Sequence, residues 1–349
     1  MRKLVIVSDA WLPQTNGVVT TLQEVCRHLP ALGFNVCVLQ PSLFKTFPMP
    51  GYPEIELVRQ PFQIKQHFLE QHPDAIHIAT EGPLGLAARH FCIRNGLPFT
   101  TSLHTKFPEY ISQRTGLPDD LGYRFLRWFH SAAAITLCTT NSHKRELSER
   151  GFSNLYVWNR GVDTKRFSPK PVLRRIAPKT ALYVGRVATE KNLDAFLSLD
   201  LDDLNVQKRV VGDGPQLAQL QRQYPDVQWV GYKHGDELVD EYRAASVFVF
   251  PSKTDTFGLV MLEALACGTP VAAYPVTGPM DIIRNDDNGY LSEDLATAVR
   301  KALTIDNENC RRAAMRYGWK TIARRLVSQL QIIDSDNRPG ALVRTPSAA

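Results

Sequence analysis

No apolar run in this 349-residue chain approaches the ~20 residues of a membrane-spanning helix. The opening Met-Arg-Lys-Leu-Val-Ile-Val-Ser-Asp reaches Asp9 too early for the apolar stretch of a secretory signal, so none is expected. Six cysteines (Cys26, Cys37, Cys92, Cys138, Cys267, Cys310) are scattered without a C-x-x-C or any ligand spacing. That pattern argues against a disulfide framework and a structural metal, and for a reduced, cytoplasmic protein. Neither half carries Gly-x-Gly-x-x-Gly after a first strand, which excludes a nicotinamide oxidoreductase of the dinucleotide-binding type. The net charge is +6, yet no dense basic stripe or nucleic-acid motif accompanies it, so nucleic acid is not an expected partner. The positive excess is uneven. Residues 1–168 hold 18 Lys and Arg against 13 Asp and Glu, while the remainder holds 23 against 22. An anionic substrate or an acidic lipid surface could use that excess.

What the chain does have is alternation of strand and helix. Residues 3–9, 35–40, 55–58, 74–79, 98–104 and 134–139 read as strands, with helices over 18–32, 64–71 and 84–94. A linker rich in proline, with Pro169, Pro171 and Pro178, follows at 169–179. A second series begins near Ala181, with strands at 182–184, 228–232, 247–250 and 271–274 and helices over 292–303 and 311–333. Alternation of this kind predicts parallel sheets covered on both faces. The tail from 334 to 349, with Pro, Gly and Ser, is expected to be disordered.

The most informative stretch is 251–271. After the apolar strand Val247 to Phe250, a mostly apolar helix over 258–267 ends at Gly268 and Pro270. Asp255 precedes it and Glu263 lies within it, about 10 Å apart at the helical rise. Between them the N–H groups near Phe257, Gly258 and Leu259 form an anion site. One carboxylate for sugar hydroxyls, one for ribose and a diphosphate between them suit a sugar nucleotide. The structural alternative makes Asp255 a helix cap and Glu263 a paired core charge.

The Asp255-x7-Glu263 pattern followed by Ala-Leu-Ala-Cys-Gly-Thr-Pro-Val resembles the donor-site signature of retaining glycosyltransferases of family 4. The usual first acid is Glu rather than Asp255. Thr-Asp-Thr-Phe-Gly is similar to a subgroup containing glycosyl-diacylglycerol synthases and GDP-mannose-dependent mannosyltransferases. Other stretches carry the same resemblance: Gly-Arg-Val-Ala-Thr-Glu-Lys-Asn (185–192), Ser-Leu-His-Thr-Lys-Phe-Pro (102–108) and Gly-Val-Asp (161–163).

The resemblance implies the α/β GT-B fold, two Rossmann-like domains facing across a cleft. It implies an acceptor-side domain at 1–168, a nucleotide-sugar domain at 180–315 and a helix at 316–333 crossing back to the first domain. Arg186 and Lys191 would grip the diphosphate, Gly17 would lie near the donor phosphates, and the base would sit by Tyr232. His104 would lie beside the transferred sugar. Asp9, at the rim of the first strand, is an acceptor-side candidate.

The expected activity is transfer of a hexose from a UDP- or GDP-linked donor with retention, without cofactor or metal. The expected acceptor is a membrane lipid such as diacylglycerol or a glycolipid, reached from the inner face of the cytoplasmic membrane. Tyr123 to His130, where Arg124 and Arg127 interleave with Phe125, Trp128 and Phe129, is the candidate lipid-facing helix. The alternative for that helix is a core-facing stripe with a solvated basic edge. Alternatives for the function are an α-mannosyltransferase acting on a soluble, polysaccharide or lipopolysaccharide acceptor, and a non-catalytic nucleotide-sugar-binding protein.

Overall fold

The computed structural model describes all residues except 15, 50, 51, 110, 111, 113–115, 117, 170–177, 335–338 and 340–349, with the backbone alone at 52–54. The chain divides into two units, one formed by Met1–Asn159 with Trp319–Ala349, the other by Arg160–Gly318. The linker and the disordered tail expected from the sequence fall largely outside the described residues.

In the first unit β1 (Arg2–Val7), β2 (Phe34–Leu39), β5 (Ala75–Ile78), β6 (Thr100–Ser102), β7 (Ile135–Cys138) and β8 (Leu155–Val157) form one sheet, while β3 (Thr46–Met49) and β4 (Tyr52–Val58) pair separately as an antiparallel ribbon. The main sheet runs β2-β1-β5-β6-β7-β8 and every pairing is parallel. Leu4, Val5, Ile6 and Val7 are all fully buried. A strand with both faces covered reads as a continuous apolar run, which is why β1 was conspicuous in the sequence.

In the second unit β9 (Lys179–Val184), β10 (Val206–Val211), β11 (Gln228–Trp229), β12 (Val247–Phe250), β13 (Val271–Ala273) and β14 (Gly289–Leu291) form a second parallel sheet, ordered β11-β10-β9-β12-β13-β14. Alternate residues feed two cores. Leu182, Val184, Phe248 and Phe250 join one cluster, and Ala181, Tyr183, Val247 and Val249 join the other. Side chains alternate across a strand, so these clusters lie on opposite faces. Both sheets are thus of the doubly wound kind, with the strand order reversing beside β1 in one and beside β9 in the other.

Most helices differ from the sequence reading by a few residues at their ends, and two differ by more. The first helix spans Gly17–His28 and gives way to a 3-10 turn at Pro30–Leu32, because Pro30 offers no N–H to continue the ladder. The long helix expected over 311–333 is two helices, Asn307–Ala314 and Trp319–Val327, and the boundary between the two units falls in the break. The second of these belongs to the first unit. Its Trp319, Ile322, Ala323 and Leu326 are buried, and the Ile322 carbonyl accepts a 3.0 Å hydrogen bond from the Trp158 indole N–H. Beyond it, the Ile333 N–H donates to the Asp74 carbonyl.

Candidate active site

In open α/β sheets ligands bind outside the carboxyl ends of the strands, where the order reverses. In the second unit that place lies between the loops after β9 and β12. A Cβ on Gly212, after β10, would stand 1.9 Å from the Gly185 carbonyl oxygen, so these loops approach backbone to backbone. Next comes a 3-10 turn, Thr189–Lys191, closed by Asn192 in the left-handed region. The Asn192 amide donates to the Pro251 carbonyl at 3.0 Å, and the Thr254 hydroxyl donates to the Glu190 carbonyl at 3.2 Å. The two loops are therefore tied together.

Across that junction the Lys191 ammonium meets the Asp255 carboxylate at 2.6 Å, with both side chains mostly buried. Asp255 is not the cap of the following helix. Leu259–Ala266 begins at Gly258, which has φ 86° and supplies no side-chain cap. A Cβ there would stand 2.8 Å from the Met261 methyl and 2.9 Å from the Phe250 ring, so position 258 admits glycine alone without rearrangement. Phe257 is buried against the core and in edge contact with Tyr317. The helix N-terminus is thus presented beside an acid–base pair.

Glu263 sits one turn into that helix and accepts a 2.7 Å hydrogen bond from the Tyr242 hydroxyl. As a whole residue Glu263 is partly exposed, but its carboxyl is enclosed by protein atoms. Burial pushes its carboxyl above the ordinary value, only partly offset by the Tyr242 hydroxyl and the Arg166 charge. Arg186 is exposed in the loop after β9, where the Tyr183 hydroxyl donates to its carbonyl at 2.8 Å. Tyr232 is half-exposed and its ring lies 4.4 Å from that of His234. It lies past the end of β11, which is shorter than expected because Gly231 turns the chain out at φ 70°.

The remaining candidates belong to the first unit. Gly17 is exposed at the start of its helix, where the Asn16 side chain caps Val18 and Val19. Asp9 follows β1 and accepts from the Leu84 N–H at 2.8 Å, the Gly85 N–H at 3.2 Å and the Thr80 hydroxyl at 2.8 Å. It caps the helix Pro83–Arg94, and burial raises its carboxyl despite these donors. Its oxygens are committed to the fold. His104 stands two residues past β6, its Nε2 2.7 Å from the Ser102 hydroxyl.

The structure also sorts the helix Asp119–Ser131. Leu126 and Phe129 are core residues, so Phe129 cannot enter a lipid interface as the sequence reading supposed. Leu121, Phe125 and Trp128 are exposed on one stripe with Arg124 and Arg127. The Arg89 guanidinium lies 4.0 Å over the Trp128 ring and donates to the Trp128 and Phe129 carbonyls.

Sequence reasoning quoted Asn192 within a motif without giving it a role, and missed Tyr242 and Arg166. Asn192 had a signal, as Asn is favoured in the left-handed region. Tyr242 and Arg166 had none, being brought to Glu263 only by the fold. Among the described residues no group of three or more His, Cys, Asp or Glu side chains is placed to hold a metal, and no helix is long and apolar enough to cross a membrane.

Comparison with known proteins adds the following. Residues 15–166 match the family model described as Glycosyltransferase Family 4, and residues 165–318 the model described as Glycosyl transferases group 1. The chain is 30% identical to a GDP-mannose-dependent alpha-mannosyltransferase of Corynebacterium glutamicum, over 83% of this chain and 76% of that protein. It is 24% identical to an alpha-monoglucosyldiacylglycerol synthase of Streptococcus pneumoniae, over 85% of this chain and 77% of that one. Among solved structures, a sucrose-phosphate synthase from Thermosynechococcus elongatus superposes with a TM-score of 0.78 at 20% identity, covering 94% and 98% of the two chains.

Proposed function

The chain belongs to glycosyltransferase family 4, with the two Rossmann-like halves of the GT-B fold, and on that premise we propose that it transfers a hexose from a nucleotide diphosphate sugar with retention of configuration. One observation carries the reading: the Lys191–Asp255 pair beside the side-chain-free N-terminus of Leu259–Ala266, at the reversal of the second sheet. Before the donor arrives, each charge holds the other in place. On binding, Lys191 turns to the diphosphate and Asp255 to the sugar hydroxyls, so both are oriented at small reorganisation cost.

Arg186, Lys191 and the helix N–H groups then meet the charge that develops on the leaving diphosphate, with no metal needed. Glu263, its carboxyl held by Tyr242, accepts from the ribose hydroxyls. No side chain is assigned as a nucleophile. The acceptor attacks the anomeric carbon from the face the diphosphate leaves, and the departing phosphate oxygen takes the acceptor proton. The acceptor is a membrane lipid, a reading supported by the exposed Phe125 and Trp128 between Arg124 and Arg127, and by the diacylglycerol-linked relative. The mannosyltransferase relatives favour a second reading for the donor, GDP-mannose in place of a UDP-sugar.

The test is product formation from a panel of UDP- and GDP-sugars, with and without anionic lipid vesicles and with EDTA. Turnover of one donor, stimulated by lipid and indifferent to EDTA, supports the proposal. Asp255→Asn should reorder the sugars, whereas Glu263→Gln should weaken all donors of one nucleotide alike. Donor binding with neither transfer nor slow hydrolysis would mark a non-catalytic protein.

A further inference from the structure

β6 carries Thr100 and Ser102 on one face, with His104 continuing the alternation beyond its end. The register pairs Thr100 with His77 of β5. His77 is fully buried, and both ring nitrogens meet hydroxyls: Nδ1 lies 2.9 Å from Thr100 Oγ1 and Nε2 lies 3.1 Å from Ser102 Oγ. The same Ser102 oxygen lies 2.7 Å from His104 Nε2. Trp158 closes the group, its ring 6.0 Å from that of His77 and 6.1 Å from that of His104, both edge-on. Nothing in the transfer chemistry above uses Ser102 or His77.

A serine hydroxyl has one proton, so Ser102 can donate to only one of the two imidazoles. The other must present an N–H to it. The Ser102 oxygen also has two lone pairs, so at least one of the two rings carries its proton on Nε2, and the partners of His77 decide whether both do. Thr100 fixes the sense. Its hydroxyl lies within reach of the Ile76 carbonyl at 3.5 Å, an acceptor only. With Thr100 donating there, His77 Nδ1–H donates to Thr100, Ser102 donates to His77 Nε2, and His104 Nε2–H donates to Ser102. Every proton in the buried chain then has a place.

We propose that Ser102 and His77 are positioning residues that fix the ring orientation and tautomer of His104, leaving the proton on Nε2 and the lone pair on Nδ1. This rests on the reading of His104 as a residue beside the transferred sugar. A histidine whose tautomer is set by buried partners presents one defined nitrogen to the reactants instead of an exchanging mixture.

The tautomer is read directly by ¹⁵N correlation spectra of the imidazoles in the full-length protein, with the His104 signals identified by their loss in His104→Gln. The expected pattern is a protonated Nε2 and a bare Nδ1 at His104, shifting toward a mixture in Ser102→Ala. In turnover with the donor selected by the panel, Ser102→Ala should lower kcat roughly tenfold to a hundredfold, the scale of a slightly misplaced group, with KM for the donor little changed. Ser102→Thr, which keeps the hydroxyl, should recover most of it. A protonated Nδ1 at His104 in the native protein overturns the assignment whatever the variants do. Impaired His104→Ala beside unimpaired Ser102→Ala overturns the positioning role alone. Normal turnover in His104→Ala removes His104 from the site, and the proposal with it.

Discussion

Lys191 and Asp255 lie 64 residues apart, and only the fold makes them partners. Replacing Lys191 or Arg186 by Ala should cost about 2.7–4 kcal/mol of barrier, the range for removing one preorganised electrostatic partner. The check is kcat on the donor found in the panel; near-normal turnover in both variants would take them out of the site. Glu263 gives a second prediction, read as stability. Its carboxyl is raised above 4.5 by burial, so between that value and the raised one the folded protein holds a proton that the unfolded chain releases. Stability is therefore lost as pH rises through that window. Glu263→Gln removes the penalty while keeping an acceptor for the Tyr242 hydroxyl. Thermal midpoints of variant and native protein should coincide in acid and diverge in the variant's favour toward neutrality, while donor affinity falls. A variant less stable at pH 7 than the native chain would contradict this. The spacing of Asp255 and Glu263 was visible in the sequence because one precedes and the other lies within a single helix. Tyr242 was not, because a contact 21 residues away depends on how two helices meet.

Elements were legible where their pattern was strong. The buried strands announced themselves as apolar runs, and the loops after β9 and β12 through their glycines and charges. Helix Asp119–Ser131 was legible as an element but not in its orientation, since aromatic residues occupy both of its sides. With Phe129 inward and Phe125 and Trp128 outward, the exposed stripe is narrower than the sequence suggested. On the proposed membrane reading, its attraction to anionic headgroups would be worth about 1 kcal/mol per well-placed cation and be screened over ~10 Å at 0.1 M salt. In flotation assays the protein should rise with anionic vesicles, ignore neutral ones and detach at high salt. Arg124→Glu with Arg127→Glu should abolish flotation and leave donor hydrolysis intact. Equal binding to neutral vesicles would point to a purely apolar contact.

For the whole molecule, the two-unit plan followed from two alternating series, whereas the division of the final stretch came only from the family resemblance, which set it at 315/316 where the units divide at 318/319. The break between Ala314 and Trp319 has no proline to mark it, and the apolar spacing runs on across it. Trp319, Ile322, Leu326, Leu330 and Ile333 are all buried, and at about 1.5–3 kcal/mol for each side chain they contribute on the order of 7–15 kcal/mol. That is comparable with the entire stability of an ordinary domain. A chain ending at Gly318 should accordingly lose the tertiary signals of the first unit, Trp158 among them, while the contiguous segment 160–318 folds alone. Amide exchange distinguishes the outcomes; native protection in the first unit of the shortened chain would show that the helix is dispensable.

The same arrangement sets a clock on biosynthesis. The first unit begins to emerge from the ribosome before the second, yet the 159 residues of Arg160–Gly318 separate Asn159 from its closing helix. At ~5–20 residues per second the nascent sheet waits roughly 8–30 s for the helix that covers it. During that interval the apolar surface destined for Trp319, Ile322 and Leu326 is open to other chains, while the second unit, uninterrupted in sequence, is completed first. Slowing translation within 160–318 would lengthen the exposure without altering a single residue of the finished protein.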